Sequence, residues 1–244
     1  YTGSEPIEPI RYALEPYVQE AGGTILFAPP GSGKSAMAQL QAICIANGVT
    51  GDLWRSIIQT PVLYVNLERP GVLIRRRDAL LMAGLELRGP SGVWYLHARG
   101  YGIEAVLRKV KDFTKEHPTG LVIWDSISRV GLGSLIEDTT ANNFTDKANS
   151  SSQTWYGIGH TPRAGDDHIY GSVHFDAGED IGVLLRSEQR GQTLGTCLTI
   201  QKANEGQHGP TTASYYAIEF TEHAWTLRRA RISEFPELGA EAGI

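Results

Sequence analysis

The chain lacks the features that mark disulfide-rich and membrane proteins. It has two cysteines, Cys44 and Cys197, in separate apolar stretches with no paired spacing, which predicts reduced core residues rather than a disulfide framework. No run of about 18 apolar residues occurs, so no transmembrane helix is predicted. The sequence also has no charged-then-apolar leader of the signal-peptide type. We therefore expect a cytoplasmic protein with no membrane partner.

The chain also has no excess of basic over acidic residues. The chain has 22 Lys and Arg against 27 Asp and Glu, a formal net charge of −5. Nucleic-acid binding would then need a local cationic cluster, or loops brought together in an assembly. No internal repeat is visible. With 41% hydrophobic and 20% charged residues, the composition is that of an ordinary globular protein, and 244 residues suffice for one large α/β domain.

What the chain does contain is the signature of a phosphate-binding loop. An apolar strand over residues 24–28 leads into a Gly/Pro loop ending in Gly33-Lys34-Ser35, and a helix-forming run follows. Main-chain N–H groups of such a loop and the helix N-terminus favour a phosphate. We predict that Lys34 reaches the β- and γ-phosphates of a nucleotide and that the Ser35 hydroxyl binds Mg²⁺. The predicted nucleotide-binding residues of the loop are Pro30, Gly31, Ser32, Gly33, Lys34, Ser35 and Ala36.

One position departs from the motif. Ala28 stands where the pattern Gly-x₄-Gly-Lys-Ser/Thr has its first glycine. Alanine is the smallest substitute, and Gly31 and Gly33 remain where the backbone comes closest to phosphate. We therefore still predict a working loop.

Strands and helices alternate along the next part of the chain. Strands are predicted at 61–67, 93–96, 121–124 and 154–159, with helices at 72–83 and 103–115. Later strands at 181–186, 193–201 and 214–220 are separated by turns. We predict an α/β fold: a mostly parallel twisted sheet, helices on both faces, and an antiparallel extension at the C-terminal edge. The predicted divisions are a linker and short helix at 1–20, the nucleotide-binding domain at 21–228, and a loose tail at 229–244.

Polar residues end three of the predicted parallel strands, where ligands of open α/β sheets bind. Asp125 follows an apolar strand, as the Walker B carboxylate that orients Mg²⁺ does, although such a residue can also be a helix or turn cap. Glu68 can act as the general base that activates water, or it can simply pair with Arg69 or Arg75 on the surface. His160 can contact the γ-phosphate or be a plain loop histidine.

These residues together resemble the RecA-like P-loop ATPases, in particular the RepA-type replicative hexameric helicases and related phage and plasmid ATPases. The family's catalytic glutamate lies in a Leu-Glu-polar-Pro stretch, here Leu67-Glu68-Arg69-Pro70, followed by an Arg-rich helix, here residues 75–77. Its His-His-Thr-x-Lys stretch is similar to residues 159–163, in which His160 is kept. Its Lys-Asn-Arg-x-Gly stretch is similar to residues 202–206, in which Lys202 is kept and no arginine is present.

The resemblance implies a RecA-like ATPase domain at 21–228 that binds ATP and Mg²⁺. It also implies a homo-oligomer, a hexameric ring or filament, with single-stranded DNA at its centre and Lys202 reaching a neighbour's nucleotide. The cations available to face DNA are Arg129, Lys147 and Arg163, although these residues can equally be solvated loop charges. The missing arginine keeps a non-motor nucleotide switch open as an alternative. A small-molecule kinase is a third, although no Arg-rich lid segment is visible.

Overall fold

The computed structural model describes residues 9–162, 168–171, 173–204 and 213–241. Its strands, in chain order, are β1 Tyr12–Leu14, β2 Val18–Gln19, β3 Gly23–Ala28, β4 Val62–Asn66, β5 Val93–His97, β6 Leu121–Asp125, β7 Thr154–His160, β8 Ile181–Arg190, β9 Thr193–Ala203, β10 Ala213–Phe220 and β11 Trp225–Arg229. Its α-helices are α1 Lys34–Asn47, α2 Gly71–Gly84, α3 Ile103–Glu116, α4 Asp138–Ser151, α5 Val173–Gly178 and α6 Pro236–Glu241. Short 3-10 helices lie at Ile127–Arg129 and Ile232–Glu234.

The centre of the molecule is a nine-stranded sheet in the order β11-β10-β9-β8-β3-β7-β6-β4-β5. From β8 to β5 all neighbouring strands are parallel. From β8 to β11 all neighbouring strands are antiparallel. The predicted α/β fold, with a parallel sheet and an antiparallel extension, is confirmed.

The parallel strands are buried because helices cover both faces of the sheet. Residues of β3, β4 and β6 are buried along their whole length. One apolar cluster packs α1 and the β1–β2 hairpin against one face, and another packs α3 and α4 against the other. In the described part of the chain, no helix is both long and apolar enough to cross a membrane. Both cysteines are free and buried.

The helix predicted within residues 1–20 is wrong. Residues 12–19 form the β1–β2 hairpin, with Tyr12 opposite Gln19 and Leu14 opposite Val18. Pro16 lies at the turn, and proline has no N–H for a helical hydrogen bond and disfavours helical geometry at the residue before it. Residues 1–8 lie outside the described part of the chain, so the predicted linker is not tested there.

The predicted loose tail at 229–244 is also wrong for its described part. Phe235 and Leu238 are buried in a small apolar cluster with Cys197 of β9 and Ala217 of β10. The ring of Phe235 lies so close to β9 that a Cβ on Gly195 would be 2.2 Å from it. The segment is anchored because two apolar side chains in an acidic stretch find a complementary face on the sheet. The strand β11 and the helices α5 and α6 were not predicted.

Candidate nucleotide site

The phosphate-binding loop joins β3 to α1 with the backbone geometry that its glycines permit. Gly31 and Gly33 have φ of 84° and 88°, a region that residues with a Cβ rarely adopt. A Cβ on Gly33 would also lie 2.7 Å from Cδ2 of Leu194 on β9. Gly33 is the N-cap of α1, so unpaired N–H groups of the first turn point into the loop. The loop and helix predicted from the sequence are therefore in place.

Lys34 lies inside this loop and is only 5% exposed. Its Nζ donates hydrogen bonds to the carbonyl oxygens of Ala28, at 2.9 Å, and Pro29, at 2.8 Å. Burial lowers the pKa of Lys34 to about 8, and the carboxylates of Glu68 and Asp125 offset part of that effect. Both acceptors are carbonyl oxygens of the loop itself. Phosphate oxygens that enter the loop can replace them as acceptors of hydrogen bonds from the Lys34 ammonium.

Two residues of the predicted loop site have a different role. The Ser32 hydroxyl donates to the Pro29 carbonyl oxygen at 2.7 Å, which stabilises the turn. Neither Ser32 nor Pro30 lines the cavity that the loop encloses. Gly31, Gly33, Lys34, Ser35 and Ala36 do line it. The loop therefore lines the cavity with Gly31 and residues 33–36, whereas Pro30 and Ser32 do not line it.

Asp125, at the end of β6, meets the first turn of α1. Its Oδ1 accepts a hydrogen bond from Ser35 Oγ at 3.1 Å, and its Oδ2 accepts one from the Tyr64 hydroxyl at 2.6 Å. Asp125 is fully buried, and burial raises its pKa, an effect that these two hydrogen bonds oppose. The capping alternative is not what the geometry shows, because both carboxylate oxygens bond to side chains of other elements.

Glu68 follows β4 on a turn that Asn66 holds in place. The Asn66 amide is buried, donates to the Arg69 carbonyl oxygen at 2.7 Å, and accepts from the Arg69 N–H at 2.9 Å. Oε2 of Glu68 accepts from Ser126 Oγ at 3.1 Å, and Arg69 Nε lies 4.0 Å from Oε1. The Glu68 side chain lines the same cavity as Lys34 and Asp125. Glu68 therefore both pairs with Arg69, as the alternative interpretation expected, and borders the cavity.

His160 ends β7 and also lines this cavity. It lies beside Ala28 in the parallel pairing of β3 and β7, next to the start of the phosphate loop. Burial lowers its pKa, as does the nearby Lys34 ammonium, so the ring is neutral near pH 7. Its Nδ1 is buried and has no hydrogen-bond partner among the described residues. A neutral imidazole with a free ring nitrogen can bond to a ligand in the cavity.

Strand order explains why these residues meet. The strand β7 lies between β3, which carries the loop, and β6, which carries Asp125, with β4 next to β6. The carboxyl ends of these parallel strands share one edge of the sheet. Lys34, Glu68, Asp125 and His160, predicted from separate strands, are thus brought to one cavity of about 290 Å³.

Several further residues that line the cavity were missed by sequence reasoning. Phe220 and Trp225, whose ring centroids are 4.8 Å apart, come from the β10–β11 turn, and Gln189 and Leu194 come from the β8–β9 turn. Arg77 of α2 also lines the cavity, and its positive charge opposes the rise in the pKa of Asp125 that burial causes. Its Nη1 is buried and without a hydrogen-bond partner among the described residues. Aromatic and guanidinium planes can pack on a flat heterocycle. The Arg-rich run at 75–77 was a signal, but nothing in the sequence distinguished Arg77 from its neighbours.

Lys202 does not lie in this cavity. It pairs with Gly182 near the start of β8, and β8 begins beside Thr24, so Lys202 lies at the edge of the sheet away from the phosphate loop. Its Nζ donates to the carbonyl oxygens of Asp176 and Glu179. The predicted action of Lys202 on a neighbouring subunit stays a prediction. Residues 163–167 and 205–212 lie outside the described part of the chain, so Arg163 and Gly206 are not placed.

A comparison with known protein families also identifies this chain as a nucleotide-binding protein. Residues 3–155, more than half of the 244-residue chain, match the sequence profile of the AAA domain family. The chain belongs to the AAA domain family. It is therefore a P-loop ATPase by family, and the matched part contains the loop, Glu68 and Asp125 but ends before His160 and Lys202. No curated protein matches the chain in sequence.

Proposed function

We propose that this AAA domain protein hydrolyses ATP with Mg²⁺ at the P-loop cavity, using Glu68 as the general base. One observation carries the proposal: the Glu68 carboxylate borders the same cavity as Lys34 and is oriented by Ser126, the residue that follows Asp125. A P-loop alone binds phosphate. A carboxylate held at the phosphate end adds the group that can accept a proton from water.

In this proposal, different residues bind the phosphates and accept the proton. The loop N–H groups and Lys34 bind the β- and γ-phosphates. Glu68 accepts the proton of the attacking water, and the Ser126 hydroxyl, which donates to Oε2, holds the carboxylate in place. The neutral His160 can donate to or accept from a γ-phosphate oxygen through its ring nitrogens, according to its tautomer. Burial of the site strengthens each of these interactions.

The oxygens of Ser35 and Asp125 fit Mg²⁺. They already lie 3.1 Å apart, and hard oxygen donors are what this ion prefers. The Tyr64 hydroxyl, bonded to the other carboxylate oxygen, fixes the orientation of Asp125. The bound ion supplies positive charge that offsets the negative charge of the phosphates. Ser35 and Asp125 would hold it, and Glu68 would remain free for the proton.

We further propose that hydrolysis drives a homo-oligomeric motor, a hexameric ring or filament, on single-stranded DNA. The support is the resemblance to RepA-type helicases and two exposed arginines, Arg69 beside Glu68 and Arg129 after β6. The test is the ATPase rate with and without single-stranded DNA, together with mass measurement in the presence of nucleotide. Stimulation by DNA and a nucleotide-dependent oligomer are expected. A basal rate that DNA leaves unchanged, with a monomer at all concentrations, would contradict the motor.

A non-motor nucleotide switch is the second candidate, and one observation favours it. The only cation of residues 202–206 is Lys202, and it is bound to main-chain carbonyls of its own chain. A ring motor needs a cation that reaches the neighbouring site. If Lys202 has that role, mixing Lys34→Ala and Lys202→Ala proteins should partly restore activity, because each supplies the half-site that the other lacks. Equal rates for the mixture and the separate variants would favour the switch.

A further inference from the structure

The two C-terminal hairpins of the sheet both contribute side chains to the nucleotide cavity. Gln189 and Leu194 flank the β8–β9 turn, and Phe220 and Trp225 flank the β10–β11 turn. The chain then continues beyond β11 into residues 231–238, the C-terminal segment, which contain the second 3-10 helix and the start of α6. This segment does not itself line the cavity.

The pairing of β8 with β9 shows which residues lie on each face of that hairpin. Gln189 pairs with Leu194, and Glu188 pairs with Gly195. Residues directly opposite each other in an antiparallel pair lie on the same face, and neighbours along a strand lie on opposite faces. Gln189 and Leu194 therefore define the cavity face of the hairpin, and Glu188 and Gly195 define its far face.

The C-terminal segment is attached to the far face. The Glu188 side chain is buried, and its Oε2 accepts hydrogen bonds from the main-chain N–H groups of Glu237, at 2.9 Å, and Leu238, at 3.4 Å. The ring of Phe235 occupies the space beside Gly195, where a Cβ would lie 2.2 Å from it. The absence of a side chain at this position of β9 thus permits close approach of an aromatic ring.

The same segment is also attached to the second hairpin. Arg228 of β11 lies 2.8 Å from a Glu234 carboxylate oxygen and 3.1 Å from one of Glu219 on β10. These pairs are partly exposed, and such ion pairs contribute little to stability. The buried Phe235 ring and the buried Glu188 carboxylate are therefore the main determinants of how the segment docks.

The cavity face of the β8–β9 hairpin contacts the phosphate loop. Leu194 is buried, and its Cδ2 would lie 2.7 Å from a Cβ on Gly33. Gly33 is the N-cap of α1, so its position affects where the N–H groups that bind phosphate point. Adjacent residues of β9 thus contact the phosphate loop on one face and the C-terminal segment on the other.

Docking of the segment and binding of a nucleotide should therefore be linked. The segment lies near the chain terminus and is held by few buried side chains, and such elements open at a lower free energy than the core. A docked segment restricts the hairpin to the position in which Leu194 lies against Gly33. If a nucleotide binds best to that arrangement, it must in turn favour docking, because coupling between two sites is reciprocal.

We propose that the C-terminal segment is a positioning element of the nucleotide site. Through Phe235 and Glu188 it holds the β8–β9 hairpin against the phosphate loop, and its release weakens nucleotide binding. The proposal rests on nucleotide binding at the P-loop cavity, which is part of the proposed function, but it does not depend on hydrolysis.

The first test measures the affinity and the dissociation rate of a fluorescent ATP analogue in the presence of Mg²⁺. Phe235→Ala removes the ring, and Gly195→Ala displaces it. Each should weaken binding by about fivefold or more, the lower end of typical coupling between linked sites, and should speed dissociation. Phe235→Leu keeps an apolar side chain and should retain most of the affinity.

The matched control is Phe113→Ala. Phe113 is also a buried phenylalanine, but it packs on Trp94 at the β5 edge of the sheet and does not line the nucleotide cavity. The control should lower the melting temperature, as any large-to-small core substitution does, and leave nucleotide affinity at the wild-type value. An equal loss of affinity in the control would mean that general destabilisation weakens binding, and it would overturn the positioning role.

The double variant Gly195→Ala with Phe235→Ala distinguishes docking from two independent defects. Once the ring is absent, the added Cβ has nothing to displace, so the combined loss of affinity should not exceed the larger single loss. Independent defects would add. A combined loss equal to the sum of the two single losses, in free energy, would overturn the proposal.

A measurement on the wild-type protein does not depend on how any variant folds. Hydrogen exchange of the main-chain amides of Glu237 and Leu238 should slow when nucleotide is added. Unchanged exchange at saturating nucleotide, or unchanged affinity in both single variants, would overturn the positioning role and leave the proposed ATP hydrolysis standing. The expected losses of affinity in a protein without ATPase activity would support the positioning role and contradict hydrolysis. A wild-type protein that binds no nucleotide would overturn both.

Discussion

The two ends of the nucleotide cavity are built in different ways. The phosphate end combines a contiguous loop with buried residues at the ends of adjacent parallel strands, and its side chains are tied by hydrogen bonds of 2.6 to 3.1 Å, such as those to Asp125 and Glu68. The aromatic end is formed by Phe220 and Trp225, which flank the β10–β11 turn. The first end is organised before a ligand arrives. The second offers planar surfaces that a ligand can complete.

Because the two ends are built differently, they should contribute differently to the binding and to the reaction of a nucleotide. Interactions at the phosphate end involve charge and a positioned proton acceptor, so they affect whether the nucleotide binds and whether it reacts. Interactions at the aromatic end are stacking and apolar contacts, which contribute to affinity and to the choice of base. Substitutions at the two ends should therefore alter different measured quantities.

The largest effect is expected from Lys34→Ala. The substitution removes the only side chain of the loop that meets the β- and γ-phosphates, so binding of a fluorescent ATP analogue should be nearly abolished. Lys109→Ala, at an exposed position on α3, is the matched control and should bind normally. Unchanged affinity in the Lys34 variant would disprove the phosphate end as described.

Glu68→Gln should slow turnover by roughly 10²–10⁴-fold while ATP affinity stays near the wild-type value. The amide keeps the size of the side chain and can still bond to Ser126, but it cannot accept a proton. Steady-state ATPase rates and equilibrium binding are measured together, with the exposed Glu116→Gln as control. A rate that falls less than a few-fold would mean that another group positions the water.

Trp225→Ala should weaken ATP binding by roughly tenfold, because it removes one ring of the aromatic end. Affinity for inorganic tripolyphosphate, which has no base, should not change. Trp94→Ala, on the edge strand β5, tests whether loss of any exposed tryptophan has the same effect. Equal losses for ATP and tripolyphosphate would show that Trp225 supports the whole site and not the base end.

The smallest effect concerns pH. The pKa of Lys34 is about 8, and only its ammonium form attracts phosphate. ATP affinity should therefore be constant below about pH 7 and fall as pH rises through 8, by about fourfold at pH 8.5. Trp225→Ala should show the same profile, since its effect lies at the other end. A flat profile to about pH 9.5 would mean that the ammonium is retained throughout.

The phosphate end could be predicted because its residues carry local signals. A Gly-rich loop before a helix, and a carboxylate after an apolar strand, are visible within a few neighbouring residues, which is how Lys34, Asp125 and Glu68 were found. Asn66 and Tyr64, which orient the carboxylates, were not found. A polar residue inside an apolar strand shows its role only when the partner that it bonds to is known.

The residues of the aromatic end could not be predicted from the sequence, for a different reason. Trp225 and Arg77 are far apart in sequence, and they meet because β11 lies at the end of the antiparallel extension and contacts α2. The strands on either side of the β8–β9 turn were predicted, yet their periodicity gives no indication of which cavity the turn faces. The N-terminal hairpin was missed because residues 11–20 have no clear period, so an apolar, turn-flanked segment was taken for a helix.

The contact between Gly84 and Trp225 connects the end of α2 to the strand β11. The helix starts three residues after Glu68, and its 14 residues make a rod of about 20 Å. Its last residue, Gly84, lies so close to the strand β11 that a Cβ there would be 1.9 Å from the Trp225 carbonyl oxygen. Such a rod transmits displacement along its length with little bending. The helix α2 therefore links the Glu68 turn mechanically to the strand that carries Trp225, so a displacement at one end of the cavity is passed to the other.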